Sequence, residues 1–188
     1  MNLAKIADWD TVMQLSDADV QPETAMKVKY NGLEITTLGQ TLKAGEIKNR
    51  PFTINWKGMK MNKFYTLLLV DLDAPSRAAP SQREWRHFML YNMKGNDMDS
   101  GIVQAPYIGS LPPAGSGFHR YVWLVYEQNG RLTVTERPLQ LSFFGRGGFQ
   151  SAKFRIQHNM KGPVAGTAYR CQWDSDVDKI GSQIPMQR

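Results

Sequence analysis

The sequence predicts a mainly β fold, formed as a single domain over residues 1–188, with a large antiparallel sheet and one or two peripheral helices. Three observations favour this class. Five Trp, seven Tyr and eight Phe are present, and aromatic residues are enriched in strands. Ten Pro and sixteen Gly supply the residues that turns require. A chain of 188 residues lies within the size range of one compact domain, which is ~100–200 residues.

The first half of the chain contains one helix signal and four strand signals. Val12 and Leu15 are three residues apart, as on one face of a short helix over 11–20. Phe52, Ile54 and Trp56 alternate with polar residues, which predicts that they share one face of a strand. The apolar run 64–72 is typical of a strand buried on both faces. The strands predicted in this half are Met26–Tyr30, Pro51–Trp56, Phe64–Leu72 and Trp85–Asn92.

The first strand predicted in the second half of the chain is His119–Gln128. The pair Asn129–Gly130 follows directly, and this pair suits a type I′ turn because both central residues need a positive φ. The sequence therefore predicts a β-hairpin in which Arg131–Glu136 runs back beside the first strand.

A helix is predicted over Gly148–Met160, with Phe149, Ala152 and Ile156 on one face and Pro163 after its end. The segment 165–173 then alternates again, which predicts a final strand. The residues expected on one side of that strand are Tyr169, Cys171 and Trp173.

Charge and cysteine content limit the classes of partner and compartment. The net charge is +6, but the chain lacks the dense basic clusters with interleaved aromatics of a nucleic-acid-binding module, so no nucleic-acid partner is expected. Residues 131–170 hold seven Arg/Lys against Glu136 alone, and residues 1–24 hold five acids against Lys5. This basic stretch could face an anion, or it could be ordinary solvated charge. The single cysteine, Cys171, favours a reducing compartment, so the cytoplasm is predicted, with peripheral membrane contact at most.

Polar residues stand where three predicted strands begin or end. Asp71 and Asp73 are two residues apart after the apolar run, so both are expected on one side, although capping of the next turn is the favoured explanation of these two residues taken alone. Trp85 shares a face with His87, and His119 shares a face with Tyr121. If the three strand ends meet, these side chains converge, and the Gly/Pro-rich stretch 107–113 adds backbone N–H groups.

This set of residues is compatible with more than one function. Two imidazoles, a phenol and loop amides suit a phosphate or carboxylate pocket, with a nearby carboxylate raising the pKa of each histidine. Asp71, Asp73, His87 and His119 also form a possible metal set for a hydrolase. A third possibility is a protein-interaction module that uses the basic stretch 131–170 or the pocket rim. The segment Gly145–Gly148 lacks the Lys-Ser/Thr of a phosphate loop and is interpreted as a turn before the helix.

Two sequence motifs resemble a known family. Residues 71–77 (DLDAPSR) are similar to its D-P-D-A-P-S-R signature, and residues 117–121 (GFHRY) match its G-x-H-R-Y signature. Residues 83–88, 92–97 and 121–127 resemble the animal branch described as Raf kinase inhibitor proteins. The chain thus resembles the phosphatidylethanolamine-binding protein family from about residue 9 to residue 177.

The resemblance implies a β-sandwich around a large antiparallel sheet, with a small anion pocket at one end. It implies a binding and regulatory protein rather than an enzyme, with no cofactor. The implied partners are phosphatidylethanolamine or other phospholipid head groups, small anions and a Raf-type kinase. It also implies cis peptide bonds before Pro75 and near Arg83–Glu84. The implied ligand-binding residues are Asp71, Pro75, Trp85, His87, Gly109, Leu111, His119 and Tyr121.

Five positions depart from the family pattern. Leu72 replaces a Pro, and Arg86 replaces a His and is expected to point outward at the rim. Leu111 replaces a Gly, which predicts a narrower mouth or a strained backbone. Gly181 stands where vertebrate members place a Tyr over the pocket, so a more open lid is expected. Lys153 stands where the animal kinase regulators carry a phosphorylated Ser, which argues against that switch.

Overall fold

The computed structural model describes residues 6–185, and this part of the chain is mainly β. Within it, no helix is long and apolar enough to cross a membrane. The helices are α1 (Trp9–Met13), α2 (Ser151–Gln157) and α3 (Ser175–Gly181), with 3-10 turns at Leu15–Asp17, Ala44–Ile47 and Met98–Ser100. The strands are β1 (Thr24–Tyr30), β2 (Leu33–Glu34), β3 (Gln40–Thr41), β4 (Thr53–Trp56), β5 (Phe64–Asp71), β6 (Trp85–Lys94), β7 (Ile102–Ala105), β8 (His119–Glu127) and β9 (Lys161–Cys171).

The strands form a large mixed sheet in the order β2-β1-β9-β8-β5-β6-β7, with β3 paired to β9 and β4 paired to β1. The sequence predicts a large antiparallel sheet; the sheet is large but mixed, because both β1 and β3 run parallel to β9. Parallel neighbours need a long crossover connection, and almost the whole domain lies between β1 and β9 in the chain. No local turn signal in the sequence could reveal this pairing.

The central strands are buried on both faces, as the apolar run 64–72 predicts. Along β5, Leu67 and Leu69 pack into one hydrophobic cluster with residues of β1 and β4. Leu68 and Val70 point the other way, into a second cluster with residues of α1 and α2. The centre of the sheet therefore has a core on each side, and its strand ends are held in fixed relative positions.

The predicted hairpin after β8 is wrong. β8 is already paired on both edges, to β5 and to β9, so no edge is free for the segment 131–136. Gly130 does not have a positive φ, so the pair 129–130 does not form a type I′ turn. The segment instead bonds to Asn92, whose side chain accepts from the Leu132 N–H at 2.8 Å and donates to the Leu132 carbonyl at 2.9 Å.

The second predicted helix exists, but it is shorter and rotated. α2 buries Ser151 and Phe154, whereas Ile156, expected in the core, is 67% exposed. Phe149 lies before the helix begins and is only partly buried. The rotation arises because Arg155 pairs with the buried Asp19 at 2.8 Å, which fixes the side of α2 that faces the domain.

Two other apolar residues lie outside the elements predicted for them, and a third faces away from the core. Phe52 precedes β4 and Trp173 follows β9, and both are exposed. The helix expected over 11–20 is the short α1 followed by a 3-10 turn. Its buried residues are Trp9 and Met13, while Val12 faces solvent.

Candidate functional site

The ends of three neighbouring strands enclose a cavity of about 200 Å³. Asp71, the last residue of β5, is in register with Trp85 at the start of β6 and with Tyr121 near the start of β8. The convergence that the motif spacing predicts is therefore present. The cavity is lined by Asp71, Ala74, Pro75, Gln82, Trp85, His87, Leu111, Pro113, His119 and Phe143.

Six of the eight predicted ligand-binding residues line this cavity, and two lie behind its wall. The six are Asp71, Pro75, Trp85, His87, Leu111 and His119. Gly109 packs against the backbone at Ile47, where a Cβ atom would lie 2.8 Å from the carbonyl oxygen. Tyr121 is fully buried, and its ring stacks at 5.1 Å from that of Tyr169. The peptide bonds Ala74–Pro75 and Arg83–Glu84 are cis, as the resemblance implies.

His87 is held from behind by the segment that follows β7. Its Nδ1 lies 2.8 Å from the carbonyl oxygen of Ile108 and 3.1 Å from that of Gly109. Trp85 packs against the imidazole with ring centroids 4.4 Å apart. Burial lowers the pKa of His87 to about 4 and outweighs the opposing effect of Asp71. The expectation that a nearby carboxylate makes this histidine cationic is therefore wrong.

His119 is engaged at both ring nitrogens. Nδ1 lies 2.7 Å from Oδ2 of Asp71, and Nε2 lies 2.9 Å from the hydroxyl of Ser116. Asp71 also accepts from the Asp73 N–H at 2.7 Å, so the turn-capping interpretation of this carboxylate is correct as well. His119 is fully buried within the protein and lines the cavity. The imidazole is therefore fixed in orientation on both sides.

The hydroxyl of Tyr121 has no hydrogen-bond partner among residues 6–185. Burial, together with the nearby Asp71 charge, raises the pKa of Tyr121 well above its ordinary value. The phenol therefore stays neutral and keeps an unused O–H donor beside Asp71. Its ring lies edge-on to His87, with centroids 5.2 Å apart.

Leu111 fits its position without strain. It is half-buried at the cavity and does not have a positive φ, so the expected glycine-only backbone angle is absent. Its N–H group has no partner within the described residues. Gly181, at the end of α3, does not line the cavity.

Asp73 does not join the site. Its carboxylate receives two hydrogen bonds from Arg120, at 2.9 Å from Nε and 2.6 Å from Nη2, on the opposite side of the sheet from His119. The expectation that Asp71 and Asp73 face the same side is wrong, because β5 ends at Asp71 and the chain turns there. Within residues 6–185, no group of three or more His, Cys, Asp or Glu is placed to hold a metal ion. The structure therefore does not favour the metal-dependent hydrolase.

Two arginines lie behind the site, and the interpretation of one of them from the sequence was incorrect. Arg86 does not point outward at the rim; it is 5% exposed and pairs with Glu136 at 2.9 Å. Arg146 occupies the predicted turn 145–148 but is fully buried. Its guanidinium donates to the carbonyl oxygens of Arg86 and Pro106, both at 2.9 Å, and lies 5.3 Å from the centre of the Trp85 ring. These bonds hold the start of β6 against the loop that carries Arg146.

Four lining residues and one supporting residue were missed. Phe143 lines the cavity beside Trp85, with ring centroids 6.4 Å apart, and its signal was the aromatic pair Phe143–Phe144 in the segment before α2. Ser116 stands three residues before His119, a spacing that suits a turn contact. Ala74 and Gln82 carried no signal of their own, and Pro113 was noted only as part of the Gly/Pro-rich stretch 107–113.

Comparisons with known proteins identify the family of the chain. A family model described as "Phosphatidylethanolamine-binding protein" matches residues 25–169. A curated relative from Drosophila melanogaster, "Putative odorant-binding protein A5", is 34% identical over 163 residues, covering 86% of this chain and 77% of that protein.

Solved structures show the same fold. A carboxypeptidase Y inhibitor, solved in complex with its cognate proteinase, superposes with a TM-score of 0.73 at 22% identity, covering 91% of this chain and 96% of the other. A phosphatidylethanolamine-binding protein from Plasmodium vivax gives a TM-score of 0.73 at 20% identity, covering 90% and 98%. The matched family model covers more than half of the chain and includes the motifs that build the cavity. The chain therefore belongs to the phosphatidylethanolamine-binding protein family.

Proposed function

We propose that the protein binds a small anionic head group, of the phosphate or phosphorylethanolamine type, in the cavity at the ends of β5, β6 and β8. The observation that carries the proposal is the convergence of Asp71, His87 and His119 on one cavity of about 200 Å³. This volume suits a head group and is too small for a whole phospholipid. Family membership supports a ligand-binding role.

The groups around the cavity can be given roles. The N–H of Leu111, a residue that lines the cavity, is a donor without a partner among the described residues, whereas the Tyr121 hydroxyl lies behind the cavity wall. The His119–Asp71 pair provides a fixed dipole, and Asp71 can meet an ammonium group. Trp85 and Pro75 form apolar walls that lower the local dielectric and strengthen each polar contact.

Titration with phosphorylethanolamine, followed by Trp fluorescence, tests this proposal directly, because Trp85 forms a cavity wall. We expect saturable binding that is lost when His119→Ala removes the central imidazole. Binding that is unchanged in both His87→Ala and His119→Ala would place the ligand elsewhere.

A second candidate function follows from one observation. The side chains of Ser116, His119 and Asp71 lie in a row, as in the triad of an acyl hydrolase. The Ser116 hydroxyl lies 2.9 Å from Nε2 of His119, and Nδ1 of His119 lies 2.7 Å from Oδ2 of Asp71. However, the Ser116 hydroxyl donates to the carbonyl of Pro113 at 2.7 Å, and Ser116 does not line the cavity. We therefore favour a binding protein over an enzyme. Covalent labelling by a fluorophosphonate that is lost in Ser116→Ala would reverse this choice.

Two implications of the family resemblance remain predictions. One is regulation of a Raf-type kinase, as in the animal branch; pull-down of such a kinase, with competition by phosphorylethanolamine, would test it. The other is a cytoplasmic location, which fractionation of cells would test. Position 153, on α2, is a lysine without a hydroxyl group, so a phosphorylation switch at this position is not part of the proposal.

A further inference from the structure

We propose that the mouth of the cavity docks on a lipid bilayer: exposed aromatic side chains around the mouth insert between the lipids, and the head group of one membrane lipid enters the cavity. This inference rests on the proposed function, because the same cavity takes the head group. It adds the source of the ligand, a zwitterionic membrane surface rather than a phosphate ester in solution. It also names the face of the protein that meets the membrane.

The first observation is the small number of exposed aromatic residues and their position. Within residues 6–185, most aromatic side chains are buried or half-buried. The exposed ones are Phe52, Phe118, Phe143, Phe144 and Trp173. Single exposed apolar residues are ordinary on a protein surface, whereas a group of them at one place marks an interaction site.

Four of these five aromatic residues lie at the end of the sheet where the cavity opens. Phe143 lines the cavity, and Phe144 is the next residue in the chain. Phe118 immediately precedes β8, and Trp173 lies two residues after β9. The first residue of β8, which lines the cavity, is in register with the last residue of β9. Both of these strand ends are therefore at the cavity.

Other apolar residues extend this aromatic group around the mouth. Pro75, in the loop after β5, and Pro113, in the loop before β8, both line the cavity and are exposed to solvent. Leu141 is exposed two residues before Phe143. Apolar side chains thus border the mouth on three separate loops, which we call the apolar rim.

The size of the cavity explains why a ligand would need this rim. A volume of about 200 Å³ accepts a head group, so the glycerol and acyl chains of a phospholipid must remain outside the mouth. The first protein groups that they meet there are the rings of the apolar rim. Burying these rings in the membrane interface removes apolar surface from water, and aromatic residues favour that interface. A free phosphate ester has no part that would cover them.

The charges near the mouth suit a zwitterionic surface rather than an anionic one. Arg170 lies over the Phe118 ring, with its guanidinium carbon 5.3 Å from the ring centre. Beside Trp173, α3 carries acidic groups: Asp178 accepts from the indole N–H at 3.2 Å, and Asp176 pairs with Lys179 at 3.1 Å. Exposed lysines lie instead at the opposite end of the sheet, at positions 60, 94 and 161. The net charge of +6 is therefore not concentrated on the rim.

Co-sedimentation with vesicles of equal parts phosphatidylcholine and phosphatidylethanolamine tests the inference. We expect the wild-type protein to bind these vesicles, and to bind them as well in about 1 M salt, which screens charge attraction but not aromatic insertion. Phe144→Asp and Phe118→Asp each place a charge in the interface and remove a buried ring, so each should weaken vesicle binding at least about tenfold. Neither residue lines the cavity, so both variants should bind soluble phosphorylethanolamine like the wild type.

Met61→Asp is the matched control. Met61 is 60% exposed, close to the 56% of Phe144, and the substitution adds the same charge. Met61 lies just before β5 begins, whereas the cavity lies where β5 ends, so this change is at the opposite end of the strand. Its vesicle binding should equal that of the wild type.

The outcomes separate the inference from the proposed function. Wild-type protein that binds soluble phosphorylethanolamine but no vesicles would overturn the inference alone, and the rim would then belong to a protein partner. Vesicle binding that salt abolishes, or that Met61→Asp weakens as much as Phe144→Asp does, would also overturn it, because the attachment would then depend on charge. Vesicle binding without any binding of phosphorylethanolamine would overturn the proposed function and, with it, the entry of a head group into the cavity.

Discussion

The buried ion pair between Arg120 and Asp73 fixes the start of β8, the strand that carries His119. The Arg120 side chain is 2% exposed and that of Asp73 is 0% exposed. Two hydrogen bonds join their side chains, at 2.9 and 2.6 Å, and Nη1 of Arg120 also donates to the carbonyl oxygens of Met13 and Gln14. Removing the guanidinium by Arg120→Met would leave a carboxylate in the core with only Arg83, at 3.6 Å, as a cationic neighbour.

The magnitude of the destabilisation expected for Arg120→Met follows from this burial. Breaking a buried pair by removing one partner costs about 3–5 kcal/mol, because an uncompensated charge remains in a medium of low dielectric. The free energy of unfolding of a domain is about 5–15 kcal/mol, so Arg120→Met should lose a large part of it. The double variant Arg120→Met/Asp73→Leu should recover part of the loss, because no charge is then left without a partner.

Urea unfolding at constant pH, followed by Trp fluorescence, measures these differences in the free energy of unfolding. Arg50→Met is the matched control, because Arg50 pairs with Asp99 at the surface, where the two side chains are 43% and 79% exposed. An exposed pair contributes about 0–1 kcal/mol. If Arg120→Met costs no more than Arg50→Met, the assignment of the Arg120–Asp73 pair as a structural anchor of β8 is refuted.

Two further changes test other parts of the structure. Burial raises the pKa of Glu84 to about 7, above its unfolded value of about 4.3, so the folded state holds this proton more tightly and stability is lost as the pH rises between these two values. Between about pH 5 and pH 8 the wild-type free energy of unfolding should therefore fall, and Glu84→Gln should remove about 2–3 kcal/mol of that fall. Urea unfolding at both pH values measures this difference, and an unchanged pH dependence in Glu84→Gln would contradict the raised pKa. Gly109→Ala would place a Cβ atom 2.8 Å from the carbonyl oxygen of Ile47, so it should cost about 1–3 kcal/mol and weaken phosphate binding by moving a carbonyl that holds His87. Gly181→Ala, which meets nothing within 4 Å, is the control, and equal losses in the two variants would refute this reasoning.

The strands that build the site could be predicted because their signals are local. The apolar run that ends at Asp71 is β5, and the pairs Trp85/His87 and His119/Tyr121 share faces as their spacing requires. The family motifs lie at these strand ends, so most of the cavity could be assigned from the chain alone.

Pairing between distant segments could not be predicted in the same way. Asn129–Gly130 is a strong local signal for a hairpin, but β9 already occupies the edge of β8 that the hairpin would need. The alternation of side chains along β6 also did not predict the surroundings of Arg86. Its side chain points away from His87 as expected, but that direction leads into a covered face, where Glu136 pairs with the guanidinium.

The protonation of His87 depends on distances that a sequence does not contain. A carboxylate close to a histidine raises the histidine pKa, and this was the basis of the expectation from Asp71. In the structure, His87 is 4% exposed, and two carbonyl oxygens from 21 and 22 residues along the chain fix its tautomer. Burial then decides the charge.

The measurement that tests the central claim most directly is the ¹⁵N chemical shift of the His87 imidazole between about pH 5.5 and pH 8. The chain has three histidines, so His87→Asn and His158→Asn assign the signals. We expect a protonated Nδ1 and an unprotonated Nε2 throughout this range, because the pKa of His87 is about 4, with Nε2 shifting when phosphate binds. A ring that titrates near about pH 6.5, the ordinary histidine value, with both nitrogens protonated below it, would contradict the claim that burial keeps His87 neutral.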